Sequence, residues 1–86
     1  DLPLALEKLE SFTVEVYPNP TSGVVNVSNP SSSNLNYTVQ NSIGQLIVQN
    51  TLKGDKIDLS NQMAGIYFIS FEDHQGRTAV KKLFIQ

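Results

Sequence analysis

Catalysis requires positioned partners: a nucleophile beside a base, or two carboxylates held in different environments. The sequence offers little of either. Its one histidine, His74, stands beside Asp73 in the run Asp73-His74-Gln75-Gly76, which reads as a hairpin tip, where an imidazole is solvated and has no pocket. Ser22, Ser28 and Ser42 lie in or beside turn sequences, and none sits in a nucleophile elbow. Asp55 and Asp58 supply the oxygen ligands that calcium takes. Yet Lys56 falls between them and no ligand-spaced acidic loop surrounds them, so they read as a charged turn after Gly54. With no cysteine there is neither a disulfide framework nor a thiolate metal site. No phosphate-cradling glycine loop is present. The expectation is a non-enzyme with no metal or cofactor.

Binding chemistries fare little better. A sugar site on a β-sheet wants rows of aromatic rings for stacking. There is no tryptophan, and Tyr17, Tyr37 and Tyr67 fall on different candidate strands. Lys81-Lys82 is too small a basic cluster for nucleic acid, which normally takes several phosphate contacts, and the net charge is −2. On a terminal strand these lysines discourage edge-to-edge aggregation instead. Asn26-Val27-Ser28 and Asn36-Tyr37-Thr38 fit the N-glycosylation pattern, but a chain with eight asparagines is expected to match it by accident. No apolar run is long enough to span a membrane.

The elements that would position these residues are short and alternate with period two. The chain has 86 residues, 40% hydrophobic and 16% charged, enough for one domain and too few for two. In residues 1–12, Leu2, Ala5, Leu6, Leu9 and Phe12 recur at three- and four-residue spacing after Pro3, which suits either a short amphipathic helix or a linker. The chain opens at Asp1 and its only methionine is Met63, so a piece of a longer protein is expected. From Phe12 onward Val14 and Val16 alternate with polar neighbours, and Pro18-Asn19-Pro20-Thr21-Ser22-Gly23 ends that strand. Further strands are expected around Val25 and Val27, at Leu35 to Val39, Leu46 to Leu52, Ile57 to Leu59, Ile66 to Phe71 and Thr78 to Ile85. Asn41-Ser42-Ile43-Gly44 and Asp73-His74-Gln75-Gly76 read as hairpin loops, and residues 60–65 as a bend or one helical turn. Ile66 to Phe71, apolar at nearly every position, reads as the central strand, covered on both faces or close to it.

Seven short strands with no crossover helix predict an all-β, seven-stranded antiparallel β-sandwich over residues 13–86. The expected inward rows are Val14, Val16, Val25, Val27, Tyr37, Val39, Leu46, Val48, Ile57, Leu59, Tyr67, Ile69 and Phe71. Lys82-Leu83-Phe84-Ile85-Gln86 stops inside a strand, which suggests a natural chain end.

Taken in order, several of these motifs resemble the C-terminal sorting domain of the type IX (Por) secretion system of Bacteroidetes. Val16-Tyr17-Pro18-Asn19-Pro20-Thr21-Ser22-Gly23 followed by Val25 and Val27 is similar to that family's opening. The Gly44 hairpin, Leu59, Gly65-Ile66-Tyr67, the Gly76 hairpin and the last strand from Lys82 follow in the family's order. One departure is Gln86 where the family often ends in a basic residue. The resemblance implies an Ig-like sandwich serving as a transport label of a larger cargo protein. It also implies transit through the periplasm, recognition by the outer-membrane translocon, removal by a sortase-like peptidase cutting before the first strand, and a secreted or cell-surface destination. Recognition would fall on Pro18, Asn19, Pro20, Gly23, Gly65, Tyr67, Lys81, Lys82, Leu83, Phe84, Ile85 and Gln86, with residues 78–86 and the Pro-Asn-Pro corner as the docking surface and strand addition to an exposed edge as one mode. Each proline and glycine among them also has a plain reading as turn geometry. The alternative is an accessory carbohydrate-binding or adhesion sandwich of a secreted enzyme.

Overall fold

The computed structural model describes residues 13–28 and 34–86. The helix-or-linker expectation for residues 1–12, and the domain boundary drawn after them, lie outside the described residues. Within them run seven strands: β1 (Glu15–Tyr17), β2 (Val24–Ser28), β3 (Leu35–Asn41), β4 (Leu46–Thr51), β5 (Lys56–Asp58), β6 (Gly65–Asp73) and β7 (Thr78–Ile85). All ladders are antiparallel, in a three-stranded sheet of order β1-β2-β5 and a four-stranded sheet of order β4-β3-β6-β7. The two sheets share one core, as the all-β sandwich reading anticipates. Phe71, Leu35, Leu59, Ile69, Leu83, Val14, Val25 and Val39 are fully buried in it. Tyr37 packs its ring 6.4 Å from that of Phe71. Period-two alternation explains the burial: β2 reads exposed, buried, intermediate, buried, exposed along Val24–Ser28.

Three expectations are corrected. Leu46 is not a core residue but 54% exposed. A β-bulge between Val39 and Gln40 sets Val39 opposite Val48 but Gln40 opposite Leu46, which turns Leu46 to the outer face and leaves Ile47 against the core. The core also takes in Leu35, Leu83 and Ile85, because β7 lies beside β6 along eight paired positions. β6 is central in its sheet but covered on one face only: Ile66 and Glu72 are exposed, and Phe68 and Ser70 half-buried. Residues 60–64 take the bend of the two readings given for them, closed by the Gln62 amide donating to the Leu59 carbonyl at 3.0 Å.

Two hairpins use one device. Asn41 Oδ1 accepts the amides of Ile43 (3.2 Å) and Gln45 (2.9 Å), and Gly44 takes a φ of 87°. Asp73 Oδ1 accepts the amides of Gln75 (3.0 Å) and Arg77 (2.8 Å), and Gly76 takes a φ of 83°. An Asn or Asp bridging its own loop, with glycine in the left-handed position, is what a short hairpin needs.

Candidate recognition site

The Pro18-Asn19-Pro20 corner leaves the three-stranded sheet after β1 and crosses to the free edge of β7. Both its Tyr17–Pro18 and Asn19–Pro20 peptide bonds are cis. Asn19 reaches β7 with its side chain: Nδ2 donates to the Lys82 carbonyl at 2.9 Å, and Oδ1 accepts the Phe84 amide at 3.0 Å. Thr21 continues with its backbone, donating to the Phe84 carbonyl at 2.9 Å and accepting the Gln86 amide at 2.8 Å, in a parallel bridge with Ile85. A primary amide sets an N–H donor beside a carbonyl acceptor, as a peptide group does, and Asn19 uses one of each on β7, so it stands in for one more residue of a parallel strand.

The turn after the corner is closed from inside. Thr21, fully buried, accepts the Gly23 amide on Oγ1 at 3.1 Å and donates the same hydroxyl to the Val24 carbonyl at 2.8 Å. Gly23, with φ 141°, lies where an added Cβ would stand 2.6 Å from Ser60 Cα, and its carbonyl accepts the Leu59 amide at 2.7 Å. The opening motif thus touches both β7 and the β5–β6 connection.

Most residues expected to carry recognition are drawn to this end of the sandwich. Gly65 faces Ile85, Tyr67 faces Leu83, and Ile66 faces Phe84 across the β6–β7 ladder. Tyr67, Leu83 and Ile85 are buried, as is Gly23, so their place is in the core and the turn rather than on the surface. The Tyr67 hydroxyl donates to the Met63 carbonyl at 2.7 Å and ties down the β5–β6 connection. Pro18, Asn19, Pro20, Gly65, Lys82, Phe84 and Gln86 are exposed. The Lys82 ammonium lies 5.4 Å from the centre of the Phe84 ring, a cation–π contact. Lys81, opposite Ile69 and half-buried, stands farther along the strand. Of the edge expected to be exposed over residues 78–86, the corner closes the part from the Lys82 carbonyl to the Gln86 amide.

Sequence reasoning missed what surrounds these residues. Ile43 and Met63 are 77% and 81% exposed. Leu46, Ile66 and Phe84 on the outer face of the four-stranded sheet, and Tyr17 and Val24 on the other sheet, are exposed at the same pole. Among the described residues, Val80 is the one large exposed apolar side chain that stands away from it. The opposite pole is charged and polar: Lys53, Asp55, Glu72, His74 and Arg77 lie there in turns or strand ends. Asp73 is buried at that pole, its Oδ2 accepting from Arg77 Nε at 2.7 Å. Burial alone would raise its carboxyl, but the amide and guanidinium of Arg77 and the amide of Gln75 outweigh it and hold the group below the usual carboxylate range.

The residues weighed for other chemistry are accounted for locally. His74 is exposed at the tip of its hairpin. Asp58 accepts the Ser60 amide at 2.9 Å, and this residue's hydroxyl and amide lower its carboxyl. The Asp55 carbonyl accepts the Val27 amide at 2.7 Å. Asn26 is held on both sides, its Nδ2 donating to the Tyr17 carbonyl and its Oδ1 accepting from Lys56 Nζ. A shallow polar groove of about 480 Å³ lies on the four-stranded sheet between Asn36, Thr38, Gln49, Thr51, Ser70 and Glu72.

No curated protein matches the chain. The sequence pattern of the secretion system C-terminal sorting domain matches residues 15–86, from the first residue of β1 to the end of the chain and so through the corner, the clamp on β7 and every strand between; the chain belongs to that family, the sorting domains of type IX secretion.

Proposed function

We propose that residues 13–86 are a non-catalytic address which the type IX outer-membrane translocon reads, after periplasmic transit, at the apolar pole formed around the Pro18-Asn19-Pro20 corner and the end of β7. Family membership makes the domain a type IX sorting signal, with export to the surface or the medium as its outcome. The observation that carries the finer reading is the clamp of Asn19 and Thr21 on Lys82, Phe84 and Gln86. It joins the opening motif and the last strand into one rigid surface, with Ile66 beside Phe84 and with Ile43, Leu46 and Met63 exposed at the same end of the sandwich. Exposed apolar patches on a small domain mark places where another surface docks. A sortase-like peptidase then cuts before β1, within residues 1–13, and the cargo is released or anchored at the surface.

The test is a fusion of residues 1–86 to a periplasmic reporter in a bacterium with a working type IX system. Delivery to the surface or medium is expected, and the double variant Ile43→Ser, Met63→Ser, which alters two exposed side chains and no core residue, should reduce it. Retention of the unaltered fusion in the periplasm would refute the address. Undiminished delivery of the double variant would remove the pole. The polar groove favours one competing reading, a glycan-binding accessory module, and binding of a soluble oligosaccharide that shifts the amide resonances of Thr38 and Ser70 would support it.

A further inference from the structure

We propose that the open half of the β7 edge, from Thr78 to Lys82, accepts an extended segment of a protein of the export machinery as an added strand; this deepens, and rests on, the reading of the domain as an export address. The edges of the two sheets are not alike. β1 and β5 are three residues each, and β1 runs into Pro18. β4 carries the bulge at Ile47, and Asn50 Oδ1 takes the outward Thr51 amide at 2.8 Å. Bulges, brevity and side-chain caps are how proteins blunt a sheet edge. β7 has eight residues; the corner closes it from the Lys82 carbonyl onward, and over the rest its one device is the charge of Lys81 and Lys82, which turns away another copy of this edge but not an acidic segment.

The register fixes which groups stay open. In an antiparallel ladder, alternate residues turn both N–H and C=O to the same side. Both backbone groups of Phe84 face the corner, so those of Thr78, Val80 and Lys82 face outward too, and Ala79, Lys81 and Leu83 bond to β6. The Lys82 carbonyl is taken by Asn19. Among the described residues no partner meets the Lys82 amide or either backbone group of Val80 or Thr78. Donors and acceptors alternating at strand spacing are complemented in full by another extended backbone and by little else. Asn19 sets where that strand must stop. Val80, 61% exposed, and Thr78 are β-branched and suit pairing. Lys82 beside them favours a segment with an acidic residue at its end and an apolar one next to Val80.

Proline on an edge strand removes one outward N–H without touching the inner ladder, so Val80→Pro separates docking from folding, with Val80→Ala as the side-chain control. The reporter fusion carrying Val80→Pro is expected to reach the surface about tenfold less than the unaltered fusion, the size of effect given by losing one or two hydrogen bonds. Val80→Ala is expected to be exported normally. Should Val80→Pro lower the melting temperature by more than about 10 °C, Thr78→Pro takes its place. In the isolated chain the Val80 amide should exchange freely while that of Phe84 is protected. Full export of the proline variants, or a protected Val80 amide in the isolated chain (an intramolecular strand from residues 1–12), overturns the added strand while leaving the address intact. Retention of the unaltered fusion refutes the address itself.

Discussion

Replacing Asn19 with alanine tests whether the corner is a structural clamp on the last strand. The change deletes two hydrogen bonds, to the Lys82 carbonyl at 2.9 Å and from the Phe84 amide at 3.0 Å. Each is worth about 0.5–1.5 kcal/mol net, and both are solvent-exposed, so the lower half of that range applies. The sum is about 1–2 kcal/mol, against a total stability of about 4–13 kcal/mol for a domain of this size. At about 4–8 °C per kcal/mol, the melting temperature should fall by about 5–15 °C. Circular dichroism gives the melting curve, and amide exchange gives the site: Phe84 should lose protection while Leu83 and Ile85, bonded to β6, keep theirs. Asn19→Asp provides a sharper control. A carboxylate still accepts from the Phe84 amide but sets an anion against the Lys82 carbonyl, so it should be no more stable than Asn19→Ala. An unchanged melting temperature together with unchanged Phe84 protection would show that the clamp contributes nothing and refute the reasoning.

Two further substitutions probe the surroundings. Gly23→Ala should cost about 2–4 kcal/mol, from strain at a φ of 141° and from a Cβ 2.6 Å from Ser60 Cα, read as a lowered urea midpoint with an unchanged slope. The Asp73 carboxyl is held below its ordinary value in the folded chain. The stabilisation it brings is therefore complete above the unfolded value of about 3.9 and is lost as pH falls through the lower folded value. Urea midpoints measured from neutral pH down into strong acid should show that loss in the native chain and a shallower one in Asp73→Asn; parallel curves would contradict it.

Most of the fold was legible because one physical rule governs it. Wherever a strand buries one face, alternation marks it, and Val24–Ser28, Leu35–Asn41 and Thr78–Ile85 lie where alternation put them. Leu46 went astray because a bulge changes the phase of alternation by one residue, and an extra residue on one strand leaves no trace in that strand's own composition. The burial of Leu83 and Ile85 is legible in their alternation with Lys82 and Phe84, which puts them on the inward row of β7. Thr21 could not be found by hydropathy. A buried threonine is acceptable only because its hydroxyl both donates and accepts within its own turn, and those partners are set by the corner geometry. The apolar pole was invisible for a different reason: Ile43 and Met63 lie in separate loops, and only strand direction brings both loops to the same end.

The clamp also decides how mutations in this motif must be interpreted. Asn19, Thr21 and Gly23 all have structural partners, on β7, within the turn and on the β5–β6 connection respectively. Loss of export on changing any of them follows equally from a recognition contact broken and from a last strand released. The two causes part at Phe84 and Val80, whose backbone groups lie on the same edge of the same strand, one held by the corner and the other open. A defect in reading leaves the Phe84 amide protected and is reproduced by proline at position 80; a defect in folding exposes Phe84 whatever stands there.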